Sequence, residues 1–232
     1  MSNLLNPASW KDKKSPRIDL EILLNWKDQE IANLVIEYYK VWDSGGKRRG
    51  GLQQSLEEMT HLKEIIKNRK FNNFVELGVA DAGSLWMYSL LFCTPESEIR
   101  GLEYDSTSEP STNLIVSELC NSRNRNVQVI GTHCNTYASQ IKDESIDLLH
   151  IDADHDYPKV ASYFENYYPK VAKGGIILIH DTASCEGSIK FRKEILEPNH
   201  NHELIVGKWL ITGDYNKESN IPSPGISLIR KN

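Results

Sequence analysis

From residue 74 onward the chain alternates short apolar runs with longer amphipathic stretches, and this alternation limits the possible folds more than any other feature. Phe74–Leu77, Ile99–Leu102, Val127–Ile130, Ile146–Ile151 and Ile176–Ile179 have the length and composition of buried strands. Between them Ser84–Phe92, Ser111–Cys120 and Tyr157–Val171 have helical length. The last carries Val160, Phe164, Tyr167 or Tyr168, and Val171 on one side, with Lys173-Gly174-Gly175 as its stop signal. Strand–helix repetition at this spacing predicts βαβ units, hence an α/β, doubly wound, mostly parallel sheet covered on both faces. A further helix near Gly187–Leu196 precedes two more runs, Leu204–Ile211 and Ile226–Ile229, joined by a Gly-, Asn-, Ser- and Pro-rich connection. These two are predicted to pair as an antiparallel end to the sheet.

The first ~25 residues are polar and read as an arm, followed by a helix over Asp28–Trp42. Gly45 to Gly51 brackets Lys47, Arg48 and Arg49 with four glycines, the pattern of a basic lid over an anionic acceptor. Ser55 and Glu58 suggest a capping box opening a helix with Leu56, Met59, Leu62, Ile65 and Ile66 on its apolar face. The expected division is 1–50 for arm, helix and basic loop, and 51–232 for one catalytic domain. A net charge of −5 argues against a nucleic-acid partner. The longest apolar stretch, Leu85–Cys93, is too short to span a membrane. Cys93, Cys120, Cys134 and Cys185 have no zinc-like spacing, and no secretory signal order is seen, so the expected setting is cytoplasmic with reduced thiols.

The first strand runs into Glu76-Leu77-Gly78-Val79-Ala80-Asp81-Ala82-Gly83-Ser84. A glycine turn after a first strand lets backbone approach a ligand closely. The dinucleotide fingerprint is not met, because Ala80 stands where its middle glycine belongs. Glu76 and Asp81 would also repel a pyrophosphate, whereas the ammonium and sulfonium of S-adenosylmethionine suit an acidic loop. The expected cofactor contacts are therefore Glu76, Gly78, Asp81, Gly83 and Ser84. At the end of the second strand Glu103, or next Asp105, is placed to accept from the ribose hydroxyls. His133, after the third strand, is a candidate for the adenine edge, and Asp152, after the fourth, also borders this crevice. Asp152 and Asp181 follow the fourth and fifth strands. With His180 they form a candidate set for a divalent cation such as Mg²⁺, Mn²⁺ or Fe²⁺. His155 and Asp154, just beyond Asp152, are the candidate catalytic bases.

The run Glu76–Ser84, the acid Glu103, the stretch Ile151–Tyr157 and the segment Lys173–Thr182 resemble class I S-adenosylmethionine-dependent methyltransferases. Within them they look like the group of macrocin and mycinamicin O-methyltransferases and cephalosporin-hydroxylase-like proteins. Gln53-Gln54 to Met59 looks like that group's lead-in to the first strand. The resemblance implies a Rossmann-like seven-stranded sheet, methyl donation by S-adenosylmethionine, and a small-molecule acceptor such as a sugar, nucleotide sugar or glycosylated natural product. It also implies a metal at Asp152 and Asp181 and a base at His155 or Asp154. The chain departs from the pattern at His180, where metal-dependent relatives carry a carboxylate. A homo-oligomer is compatible with this reading. The competing readings are a dinucleotide-dependent oxidoreductase and a non-catalytic binder of an adenosyl ligand.

Overall fold

Residues 24–44, 52, 54, 56–104, 109–120, 123, 125–198, 201–206 and 225–232 are described by the computed structural model. The arm through residue 23, the basic loop 45–51, Ser55 of the capping box, Asp105, and the part of the Leu204–Ile211 run after Val206 lie outside the described residues.

Among the described residues two helices, α1 (Gln29–Ser44) and α2 (Leu56–Ile66), precede the sheet. Asp28 caps α1 by accepting from the backbone N–H groups of Glu30 and Ile31, and it also receives Lys63 Nζ of α2 at 2.7 Å. One carboxylate thus starts the first helix and ties it to the second. On α2, Leu56, Met59, Leu62 and Ile66 are buried, while Ile65 is 36% exposed and leaves the expected apolar face. Seven strands follow: β1 (Phe71–Leu77), β2 (Cys93–Glu103), β3 (Asn126–Gly131), β4 (Ile146–Ile151), β5 (Val171–His180), β6 (His202–Val206) and β7 (Ile226–Lys231). Their spatial order is β3-β2-β1-β4-β5-β7-β6. The first five are parallel, and β7 is antiparallel to both β5 and β6. The expected Rossmann-like, doubly wound sheet with an antiparallel C-terminal strand is the architecture found.

Alternation along the strands divides the core into two layers. Phe74, Leu148 and Leu178 face the layer built from α1, α2 and α3 (Gly83–Phe92). Val75, Leu149 and Ile177 face the layer that includes α6 (Tyr157–Tyr167) and α7 (Glu186–Phe191). Numbering in chain order, α4 (Glu109–Ile115) continues as a wider turn to Cys120, and α5 is the short Cys134–Tyr137. Nine of the ten residues of α3 are buried, because it is clamped between the sheet and α1.

Boundaries differ from expectation at several elements: β2, for instance, begins at Cys93, six residues ahead of the run Ile99–Leu102. The helix predicted to reach Val171 stops at Tyr167, passes through a tight turn over Tyr168–Lys170, and gives way to β5 at Val171. Pro169 has no N–H with which to continue the helical ladder, and the carbonyls of Pro169 and Lys170 accept from Glu144 and Ser145 ahead of β4. Lys173-Gly174-Gly175 therefore lies inside the strand, where the β4–β5 register shifts. Gly174 has φ +74° there.

The chain's course reverses between β1 and β4, and Gly78 meets Asp152 at that point. Gly78 has φ +84°, and a Cβ there would lie 2.3 Å from the Asp152 carbonyl oxygen. Gly78→Ala should therefore combine left-handed strain with overpacking against backbone. Denaturant unfolding is expected to show a loss of at least ~2 kcal/mol; a loss below ~0.5 kcal/mol would mean that the loop has another way to pass Asp152.

Candidate active site

Because β1 to β5 are parallel, their carboxyl ends share one edge, and the crevice of an open sheet forms where the strand order reverses. Three residues of the loop after β1 have left-handed backbone: Gly78, Ala80 (φ 45°) and Ala82 (φ 60°). The loop is held from both sides. Gly78 N–H donates to Leu102 O, and Asp152 N–H donates to Leu77 O, each at 2.9 Å. Ala80 takes the left-handed conformation where a fingerprint glycine would have taken it freely. Its N–H donates to Glu103 Oε2 at 2.7 Å, Val79 N–H joins the same oxygen at 3.2 Å, and the Thr112 hydroxyl donates to its carbonyl. Glu103 thus sits at the end of β2 as the sequence predicts, with a further duty of holding the loop. Beside it Tyr104 is 76% exposed and meets His133 edge-on at 5.7 Å between ring centres.

Glu76 and Ser84 are placed differently from a ligand-facing pair. Glu76 is fully buried; it accepts from the Ser84 hydroxyl and lies 3.2 Å from His150 Nδ1. Glu76 and His150 are register partners on β1 and β4, so their side chains emerge on the same face, beneath α3. Burial pushes the Glu76 carboxyl above its ordinary value, against the pull of His150. Asp81 is buried too, and its carbonyl receives the Tyr38 hydroxyl of α1. At Gly83 a Cβ would press on Leu52. His150 was missed at the sequence level. The signal was a lone imidazole inside the apolar run Ile146–Ile151.

The strand ends beside this row gather the chemistry. His180 Nδ1 lies 3.2 Å from Asp152 Oδ1 and 3.4 Å from Asp181 Oδ2. His155 Nε2 approaches the same two carboxylates, 2.8 Å from Asp181 Oδ2 and 3.6 Å from Asp152 Oδ1, on a side chain that is 37% exposed. These are charge contacts without hydrogen-bond alignment. His155 Nε2 and both ring nitrogens of His180 have no hydrogen-bond partner among the described residues. Ser184 donates to Asp181 Oδ1 at 2.7 Å, and Gln54 Nε2 reaches Asp152 Oδ2 at 3.4 Å. Gln54 is 2% exposed and leaves its own Oε1 without a hydrogen-bond partner among the described residues. It is a site residue that spacing alone could not locate, since the whole of α2 separates it from β1 and Asp152 lies across the sheet.

Two backbone features fix this group. Asp181 has φ 58°, a conformation aspartate tolerates better than most residues. Gly187 lets the start of α7 approach His155 so closely that a Cβ would lie 2.2 Å from the His155 carbonyl oxygen. Asp154, the alternative base, is drawn away from the group: it pairs with Lys159 and accepts from the Asp156 N–H.

A buried imidazole with unpartnered nitrogens between two carboxylates is a donor set that fits a divalent cation. One ligand atom from each of Asp152, His180 and Asp181 lies within 4.8 Å of the others. With the carboxylates unscreened, charges shift strongly. Burial opposes ionisation of Asp152, but His180, His155 and His150 hold its carboxyl down at about 2. Asp181 is also depressed, by His180 and His155 against burial. Contacts with Asp152, Asp181 and Cys185 push His155 up to about 12. Burial works against charge on His180, yet Asp152 and Asp181 raise it well above its ordinary value.

Residues 75–182, from the middle of β1 to just past β5, match the family model described as a methyltransferase domain. Solved structures agree on its fold. The O-methyltransferase TomG of Streptomyces achromogenes, involved in tomaymycin synthesis and solved with S-adenosylmethionine, superposes with a TM-score of 0.64 at 12% identity, covering 92% of this chain and 95% of that one. An O-methyltransferase from Bacillus cereus in complex with S-adenosylhomocysteine gives 0.62 at 17% identity, over 92% and 97% of the two chains. The S-adenosylhomocysteine-bound methyltransferase PaMTH1 of Podospora anserina gives 0.62 at 14%, over 86% and 88%. In sequence, 42 residues are 48% identical to the uncharacterized protein y4gI of Sinorhizobium fredii, which is 18% of this chain and 5% of that protein. The match thus spans a small fraction of the length of that curated relative. The class I methyltransferase fold anticipated from the sequence is the fold observed. Among the described residues no helix is long and apolar enough to cross a membrane.

The charge pattern gives the metal-free protein a defined pH window. Asp152 has a folded value of about 2 against 3.8 for the free group, so its contribution is full above ~4 and is lost as pH falls through about 2. His155, raised from 6.5 to about 12, contributes fully below 6.5 and loses that contribution as pH climbs toward 12. The melting-temperature gap between wild type and Asp152→Asn in chelator should be widest between about pH 4 and 6.5. A gap that instead widened steadily toward pH 9 would contradict the assigned pairing.

Proposed function

We propose that this protein is an S-adenosylmethionine-dependent O-methyltransferase acting on a hydroxyl of a small molecule, with a divalent cation held by Asp152, His180 and Asp181. One observation carries the reading. Two carboxylates, a buried imidazole and a half-exposed imidazole converge beside the glycine turn of a methyltransferase domain. The class of acceptor, a sugar, nucleotide sugar or glycosylated natural product, rests on the resemblance of the sequence motifs. The same reading makes the protein cytoplasmic, directed at a small acceptor and not at nucleic acid or membrane, with residues 51–232 as the catalytic domain.

When bound, S-adenosylmethionine would supply the methyl group, and a cation held by Asp152, His180 and Asp181 would lower the pKa of the acceptor hydroxyl. The chain's own residues do the rest. Glu103, at the end of β2, accepts from ribose hydroxyls while it holds the Val79 and Ala80 amides. His155 is the base, because its side chain is 37% exposed, whereas His180 is buried. Paired with both carboxylates, the imidazole stays protonated; once those carboxylates are engaged elsewhere, its pKa falls back toward the ordinary range. Nε2 then takes the hydroxyl proton as the oxygen attacks the methyl carbon and the S–CH₃ bond breaks toward sulfur.

Calorimetry should show S-adenosylhomocysteine binding and no NAD binding; tight NAD binding would overturn the cofactor assignment. Glu103→Ala should weaken S-adenosylhomocysteine at least about tenfold, since it removes charged hydrogen bonds. With an acceptor found by a nucleotide-sugar screen, His155→Gln should cut turnover by roughly 10²–10⁴ with S-adenosylhomocysteine affinity intact. Full activity in His155→Gln would remove it as the base. Turnover that persists in chelator, with no metal by elemental analysis, would remove the cation.

A further inference from the structure

Asp181 belongs to two donor groups. One is the inner set with Asp152 and His180; the other is an outer set in which His155, Asp181 and Cys185 each bring one ligand atom within 4.8 Å of the others. The outer set has features of its own. His155 and Cys185 are partly open to solvent, while Asp181 is only 9% exposed and forms the inner wall of the set. All four cysteines are free thiols, but Cys185 is partly exposed, whereas Cys93, Cys120 and Cys134 are buried. His155 Nε2 lies 2.8 Å from Asp181 Oδ2 and has no aligned hydrogen bond among the described residues. The backbone holds the donors in place: Asp181 receives the N–H of Cys185 at 3.1 Å, and Gly187 pins the His155 backbone against the start of α7.

We propose that His155, Asp181 and Cys185 form a second metal site, selective for thiophilic divalent ions of the Zn²⁺ or Cd²⁺ type. Thiolate and imidazole donors favour such ions, whereas Mg²⁺ prefers oxygen ligands throughout. Binding releases the thiol proton and leaves one position for water or a ligand. An ion at this site occupies His155 Nε2, the atom that the proposed function uses as base. The consequence, which rests on that reading, is inhibition of methyl transfer by zinc.

Cobalt is the direct probe, because a cobalt–thiolate bond gives a near-ultraviolet charge-transfer band. Full-length wild type titrated with Co²⁺ should develop that band, and Zn²⁺ should displace it. Cys185→Ser should lack the band and bind Zn²⁺ at least roughly tenfold more weakly, as loss of a direct ligand costs no less than loss of an outer partner. His155→Gln, which keeps the thiol, should weaken Zn²⁺ similarly, and retained S-adenosylhomocysteine binding would show that both variants fold. A band that survives in Cys185→Ser comes from another cysteine and overturns the site. Cobalt binding without any thiolate band also overturns it while leaving the inner group intact. Absence of all cobalt binding would overturn both metal assignments, and methyl transfer in chelator would then separate the enzyme reading from either.

Discussion

The site depends on a contact where no side chain fits. At the reversal between β1 and β4, Gly78 runs so close to the Asp152–Ala153 backbone that even a methyl group would collide with it. The approach is locked by Asp152 N–H donating to Leu77 O. Because the two loops are held there as one unit, the glycine turn after β1 and the Asp152 carboxylate are positioned together. Glu103 extends the same coupling to β2, since its carboxylate holds the Val79 and Ala80 amides across the strand ends. Geometry at the crevice is therefore set by backbone before any ligand arrives, which is the condition for precise positioning.

Behind that edge the protein keeps an unusual row of polar groups inside an apolar layer. Glu76 and His150 face each other across β1 and β4, and the rings of His150 and His180 lie 6.1 Å apart. Tyr88 closes the row by meeting His150 edge-on. Buried polar groups are stabilising only when their partners are in place, and several nitrogens here lack one among the described residues. Such a row makes the charge on Asp152 and Asp181 felt well below the surface, linking the site to the centre of the sheet.

Much of this was legible in the sequence, for identifiable reasons. The parallel sheet followed from periodicity, since runs such as Ile146–Ile151 and Ile176–Ile179 must be covered on both faces. The grouping of Asp152, His155, His180 and Asp181 followed from the rule that strand ends in an open sheet face one crevice. What escaped depended on three dimensions. Gln54 reaches Asp152 only because α2 carries its segment over the sheet, and Glu76 turns inward because His150 stands opposite it in register. The apolar pattern continues to Val171, but α6 ends four residues earlier because Pro169 has no N–H to extend the ladder.

The placement of β7 has a consequence for how the sheet is built over time. It lies between β5 and β6, so β6 has no sheet neighbour until the later strand arrives. During synthesis the β5 edge, with Ile176, Ile177, Leu178 and Ile179, is left unpaired while residues up to 225 emerge. That is a long interval for an apolar edge to stay open, and open edges recruit strands from other molecules. The last two strands must therefore assemble as a single late event, with closure entropy spent before either gains a partner. Vulnerability to aggregation is concentrated in the nascent chain, before the finished sheet covers that edge.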